Sequence, residues 1–442
     1  MYHKLFFLSL VLCAAVFHAT AQDLYVNSAT GNNRNDGTKE SPFKNIQKAV
    51  ETATDGTTIY VSEGNYFGTL DKGNIIVTKP VKIMGGYSPD FATRDVLKYF
   101  TLVQPSPESN GTSGPEQGTF VVKVDKLDTE VVIDGLIFDR GNSISYSTKG
   151  EGKPEGVECP MMNPIGAAGI GGDDLTKTNV LTKQTSTFYV TANKANITLR
   201  NCAFLNSPYY GIIGSTQGKA FTVENCVFIG NRFAAIELAG GAAAYNTKVT
   251  FRNNTVLFNW SRLKDYLDMG YGFRFMPQTD AHVENNIIGL SIFSGLDRGR
   301  SDSNKAKDAA RICTSVNNVF FLNKLGDIAI PGGGNFMFVK AEDFEDVEQL
   351  TTVKGNKTLT DPAVFKGVIN EPYLNGFLAA SYKETTNVDP NSPANQFRQA
   401  MGMTTQGTMT SSASMFANRY PWRDALKFFG AMQGYGAQKI KN

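Results

Sequence analysis

One stretch combines residue types suited to chemistry in a spacing that the rest of the chain does not repeat: Trp260-Ser261-Arg262-Leu263-Lys264-Asp265-Tyr266-Leu267-Asp268-Met269-Gly270-Tyr271-Gly272-Phe273-Arg274-Phe275. Aromatic rings and both signs of charge are interleaved in it. Lys264 is the candidate base, and its ordinary pKa, about 10.4, has to be lowered by burial or by cations such as Arg262 and Arg274. Phe273 and Phe275 alternate inward on a strand, which turns Arg274 outward, where its guanidinium could hold a carboxylate through two hydrogen bonds. Trp260, Tyr266 and Tyr271 offer faces for stacking on sugar rings. Asp265 and Asp268, with Glu237 from the preceding coil, present oxygen ligands suited to calcium. Downstream, Arg298 and Arg300 in Asp297-Arg298-Gly299-Arg300, with Lys305 and Lys307, extend the charged region as a groove would. Each group has a plainer alternative. Lys264, Asp265 and Asp268 also suit a solvated turn, and Arg274 a rung of a surface charge ladder. Tyr271 also suits the core, and the 297–300 group a loop tip.

The remaining chemistry-bearing residues exclude several classes. The chain has 3 histidines; His3 and His18 lie in the N-terminal leader described below, which leaves His282, on a predicted strand beside Val283. A histidine-rich zinc site or a Ser-His-Asp triad would have to be built on that one ring. Cys159, Cys202, Cys226 and Cys313 form no CxxC pair, so a zinc ribbon or thioredoxin-type site is excluded by spacing. Gly169-Ile170-Gly171-Gly172-Asp173-Asp174 lacks the lysine and spacing of a nucleotide loop. There are 43 basic and 41 acidic residues, a balance without the basic excess that nucleic-acid binding requires.

The elements that must position these residues are short strands. Lys4, the apolar run Leu5 to Phe17 and Ala19-Thr20-Ala21 read as a leader cleaved near Ala21. Residues 1–21 are therefore expected to be a signal peptide, and the mature chain to act outside the cell, in the periplasm or at the surface. Asp23-Leu24-Tyr25-Val26-Asn27 is a strand. Ser41 and Pro42 suit the start of a helix running to Ala53, with Phe43, Ile46, Ala49, Val50 and Ala53 on one face, placed to cover the end of a solenoid. Five segments then repeat one pattern, around asparagines at 201, 225, 253, 285 and 317, spaced by 24, 28, 32 and 32 residues. An asparagine flanked by inward apolar residues suits a sharp corner, since asparagine tolerates left-handed backbone. Stacked side-chain amides can bond along the column. Cys202 and Cys226 follow the corner in successive coils and are expected to stack as buried thiols. Residues 142–187 break the period as an insertion. The coils are placed at 22–330, and the final coils and a C-terminal cap at 331–442.

These features resemble secreted right-handed parallel β-helix proteins of the pectate-lyase-like superfamily. The likeness rests on the strand, loop and cap-helix opening, the asparagine-cornered coils, and Gly85-Gly86-Tyr87-Ser88 after Val81-Lys82-Ile83-Met84. Asp361-Pro362 and Asn391-Ser392-Pro393-Ala394 add to it. It implies an all-β solenoid acting on polysaccharide as a monomer. For the lyase members it implies β-elimination on a uronic acid, with Lys or Arg as base and calcium or cations on the carboxylate. Lys264, Arg274 and Arg262 are then the catalytic candidates and an acidic polysaccharide the partner. The Arg-His-Gly motif of some lyases is absent, and Asp173-Asp174 lies outside the coils, so the acidic pair of the hydrolase members is not carried over. A non-catalytic glycan-binding or surface protein, and a glycoside hydrolase, remain the alternatives on the same fold.

Overall fold

The computed structural model describes residues 22–68, 74–104, 118–140, 146–148, 179–181, 186–207, 209–217, 219–240, 246–260, 270–301, 304–332, 335–381, 389–405 and 419–440. Within them the strands form three long sheets of ten, nine and nine strands. A separate antiparallel pair, Tyr146–Thr148 with Asn179–Leu181, lies inside the expected insertion. The first sheet runs from Leu24–Val26 to Thr352–Lys354 and the second from Gly64–Tyr66 to Lys357–Thr358. The third runs from Ile75–Val77 to Asn335–Val339. Neighbours pair in parallel, with consecutive coils in register, except where Gly326–Gly332 meets Asn335–Val339. No helix among the described residues is long and apolar enough to cross a membrane.

The corners explain the repeat. Asn201, Asn225, Asn253, Asn285 and Asn317 all take left-handed backbone, with φ between 51 and 56°. Gly135 and Gly355 hold the same corner in flanking coils, at 76 and 65°. The amide column expected of these asparagines is made chiefly by the residues that follow them. Asn254, Asn286 and Asn318 are fully buried, and each donates to the amide oxygen in the next coil, at 3.2, 2.9 and 3.1 Å, ending on Asn356. Their oxygens in turn accept backbone N–H groups of Cys226, Asn254 and Asn286. Cys202 and Cys226 are buried free thiols in the earlier coils, as expected. Five residues beyond each first corner lies a second left-handed corner, at Asn206, Gly230, Phe258, Leu290 and Leu322.

Inside, phenylalanine rings stack from coil to coil, Phe138 on Phe204 at 5.1 Å and Phe204 on Phe228 at 4.8 Å. The end-capping helix is shorter than the sequence suggests, Ile46–Thr52 rather than Pro42 to Ala53. The backbone of Phe43 is already engaged with Tyr25 and Asn27, which extends the chain there and delays the helix to Asn45. The other end is closed by the 3₁₀ turn Ala341–Asp346, whose Phe344 packs on Phe320 at 5.3 Å. The last hundred residues are therefore more than a C-terminal cap. Helices Glu371–Ser381, Pro393–Ala400 and Trp422–Leu426 lie back along the outer face of the second sheet and bury Leu205, Ile229, Leu257 and Phe321. The physical cause is that this face is apolar and would otherwise be exposed. The overlap reaches far up the solenoid, with Tyr420 bonded to Asn206 and Gln438 to Asn225.

Candidate functional site

On the third sheet, Ile212, Ile236, Phe273, Leu296 and Ile328 form one inward column, all buried. The alternate column therefore lies on the other face. It reads Ile213, Glu237, Arg274, Asp297, Ala329 in strict register. Three successive coils thus carry an acid, a base and an acid between apolar neighbours.

These charges bond to one another. Asp297 Oδ2 accepts from both Nε and Nη2 of Arg274, each at 2.6 Å. Nη1 of the same guanidinium donates to Glu237 Oε2 at 3.1 Å. The Tyr271 hydroxyl donates to that same Oε2, and its ring lies 4.0 Å from the guanidinium carbon. Both contacts of Glu237 fall on Oε2, and Oε1 takes part in neither. The side chains of Asp297 and Arg274 are 0 and 3% exposed, and that of Glu237 is 16% exposed, so the cluster reaches the surface through Glu237. Burial disfavours the charged guanidinium of Arg274, but Tyr271, Asp297 and Glu237 outweigh it and hold its pKa above the ordinary value. Burial also pushes the Tyr271 and Tyr210 phenols up, with Glu237 adding to both.

Of the residues expected from sequence, Glu237, Tyr271 and Arg274 come together. Arg274 faces out of the solenoid as expected but is clamped between carboxylates, so its charge is already matched. Tyr271 is a buried strut and offers no open ring face. Trp260 is buried as well: its indole N–H donates to the Gly230 carbonyl at 3.0 Å, and its ring joins the layer under the C-terminal helices. Arg298 is buried, bonding the Arg300 carbonyl at 3.2 Å and lying 3.6 Å from Asp308, while Arg300 is exposed. Arg262, Lys264, Asp265, Tyr266 and Asp268 lie outside the described residues. The two ends of their segment are described: Trp260 N–H bonds Asn231 and Gly270 N–H bonds Phe233. Among the described residues no three His, Cys, Asp or Glu side chains converge as a metal site.

Sequence reasoning did not assign Asp297 or Tyr210 a role. Asp297 could have been found by counting from the corners, since it sits 12 residues after Asn285 on the coil following Arg274. Tyr210 gave no such signal, because the position nine residues after the corner holds Tyr210 in one coil and Ala234 in the next, with no common chemistry. Away from this cluster, a cavity of about 790 Å³ lies between the last coils and the helix Pro393–Ala400. It is lined by Phe321, Leu325, Phe397 and the buried carboxyl of Asp327, whose pKa is pushed up by burial against the pull of Lys340.

Residues 165–308 match the family model of the right handed beta helix region. The chain is a right-handed parallel β-helix. Residues 29–101 match a second model, described as a protein of unknown function (DUF1565). The uncharacterized protein YwoF of Bacillus subtilis (strain 168) is 50% identical over 48 residues, which is 11% of this chain and 10% of that protein. Pectin methylesterase from Aspergillus niger is 12% identical, over 76% of this chain and 83% of its own, with a TM-score of 0.33. A rhamnogalacturonan lyase is 12% identical over 68% of this chain and 74% of its own, with a TM-score of 0.32.

Proposed function

We propose that this β-helix is an exported carbohydrate-active protein that acts on an acidic polysaccharide by β-elimination, at the Glu237, Tyr271, Arg274 and Asp297 cluster. One observation carries the reading. The same column holds Ile213 and Ala329 in the flanking coils, so the solenoid packs there without charge. Burying an acid, a base and a second acid in its place costs desolvation that well-packed apolar residues avoid. Perturbed, buried ionisable clusters of this kind concentrate at functional sites.

The roles divide by exposure. Arg274, Asp297 and Tyr271 fix the position of Glu237, and Glu237 meets the substrate. The segment bearing Lys264 and Arg262 is anchored at Trp260 and Gly270; Gly270 adjoins Tyr271 in the cluster. Lys264 removes the proton beside the uronate carboxylate, the electron pair left behind forms the double bond as the bond to the leaving sugar oxygen breaks, and that oxygen takes its proton back from the Lys264 ammonium; Arg262 and Arg300 hold the carboxylate, a duty the clamped Arg274 no longer has free. Calcium held by Glu237, Asp265 and Asp268 would take Glu237 through Oε1, because Arg274 and Tyr271 both bond Oε2.

A non-catalytic glycan-binding protein is the second reading, favoured by the way the cluster satisfies its own hydrogen bonds. Incubation with polygalacturonate, alginate and chondroitin, followed by ultraviolet absorbance of unsaturated uronate, separates the two. Product with any of them supports elimination. Retention on immobilised glycan without product supports binding alone.

A further inference from the structure

The first coils carry an aromatic face that the proposed site does not use. In Leu24–Val26 and Thr58–Ser62 the residues Leu24, Val26, Ile59 and Val61 are buried inward, which places Tyr25 and Tyr60 on the outer face of the first sheet. The two tyrosines are in register and their rings stack at 5.0 Å with an 18° tilt. Tyr87 packs edge-on against Tyr60 at 5.2 Å, and Phe91 edge-on against Tyr25 at 5.0 Å. Phe91 takes a left-handed backbone, φ 57°, to do so. Beside these rings a groove of about 400 Å³ crosses four neighbouring strands, lined by Thr58, Tyr60, Met84, Tyr87, Thr198 and Arg200. Four strands at the usual spacing give a length of roughly 14 Å.

The solenoid does not need these rings. The same columns farther along hold Thr222, Thr250 and His282, and Glu224 and Arg252. We propose that the aromatic face and its groove form a second glycan-binding site, which takes an uncharged linear sugar chain laid along the solenoid axis. Tyrosine faces suit the C–H faces of sugar rings, while hydroxyl and threonine groups at the edge suit their hydroxyls. The charge balance selects an uncharged chain. Arg94 and Arg200 both pair with Asp134, the rim adds Lys82 and Glu130, and Asp23 accepts from the Tyr60 hydroxyl at 3.5 Å, so three cations face three anions. Burial raises the pKa of Tyr25, Tyr60 and Tyr87, so the phenols stay neutral donors. This inference stands whether or not the Glu237 cluster turns over substrate.

The test is affinity electrophoresis of the full chain through gels holding xylan, mixed-linkage β-glucan or polygalacturonate. The wild-type protein is expected to be retarded by a neutral glycan, with little change on adding salt. Tyr60→Ala with Tyr87→Ala should weaken that binding by roughly ten-fold or more, and Tyr60→Phe, which keeps the ring, should retain it. Should the double variant misfold by circular dichroism, Thr198→Glu fills the groove from an outward threonine without touching the ring packing, and should also abolish retardation. Glu237→Gln should leave it unchanged. No retardation by either neutral glycan, retardation by polygalacturonate alone that salt abolishes, or full retardation of both the aromatic and groove variants would each overturn the proposal.

Discussion

Asp297 holds Arg274 from the adjacent coil through a single carboxylate oxygen, which accepts both Nε and Nη2 at 2.6 Å with both side chains buried. The second coil contact, to Glu237, completes a chain of charge across three coils. Removing one partner leaves the guanidinium buried with half its compensation. Asp297→Ala is therefore expected to destabilise the chain by about 3–5 kcal/mol in denaturant titration. Replacing Arg274 and Asp297 together by apolar residues should cost far less, because the neighbouring coils pack Ile213 and Ala329 there. Equal losses for the single and the double variant would contradict the clamp.

Glu237→Gln keeps an oxygen for the Tyr271 hydroxyl and the Arg274 guanidinium, so melting should shift little. Lys264→Ala, in a segment that its sequence marks as a surface insertion, is expected to move stability by less than about 0.5 kcal/mol. If elimination takes place, it should nonetheless remove turnover. A Lys264→Ala protein that turns over polygalacturonate at the wild-type rate would place the base elsewhere.

The corners and the amide column make separable predictions. Asn285→Gly should be tolerated and Asn285→Ala should cost about 1 kcal/mol, since only the alanine is strained at φ 56°. Asn286→Ala strips partners from the Phe251 carbonyl, the Asn254 N–H and the Asn318 amide oxygen, and should cost on the order of 2–4 kcal/mol. Thermal melts of the three variants give the ranking directly.

The repeat was legible because one corner demands asparagine, which shows as a letter at a fixed place. The second corner was not, because it is filled by Asn206, Gly230, Phe258, Leu290 and Leu322, residues with no common chemistry. Phe258 accepts left-handed backbone because its ring then packs against Tyr373 at 5.0 Å and Phe377 at 5.1 Å. That contact is made by a segment more than a hundred residues away, so nothing local announces it. The site was legible in part for the same reason. Outward placement of Arg274 followed from alternation with Phe273 and Phe275. Its clamping by Asp297 depends on register between coils of unequal length, and the burial of Trp260 depends on the returning C-terminal layer.

Asp327 supplies a pH test of the cavity beneath that layer. Its folded pKa is raised above 3.8 by burial, so the folded state binds this proton more tightly than the unfolded chain. The group therefore costs no stability below the unfolded value, and the cost grows as pH rises through the folded one. Asp327→Asn should melt higher than the wild type near neutrality, and the difference should shrink as pH falls through the carboxylate range. A gap that widens on acidification would reverse the sign of the shift.

The central claim is that the cluster opening through Glu237 is where polysaccharide is processed. The direct measurement is the rate of unsaturated-uronate formation from polygalacturonate, alginate and chondroitin by wild-type chain and by Glu237→Gln, with melting curves recorded in parallel. Turnover of one substrate by the wild type, reduced by roughly ten-fold or more in Glu237→Gln at unchanged melting temperature through loss of a charged hydrogen bond to the substrate, is the predicted result. Undiminished turnover by a folded Glu237→Gln protein, or none by the wild type with any of the three, would contradict it.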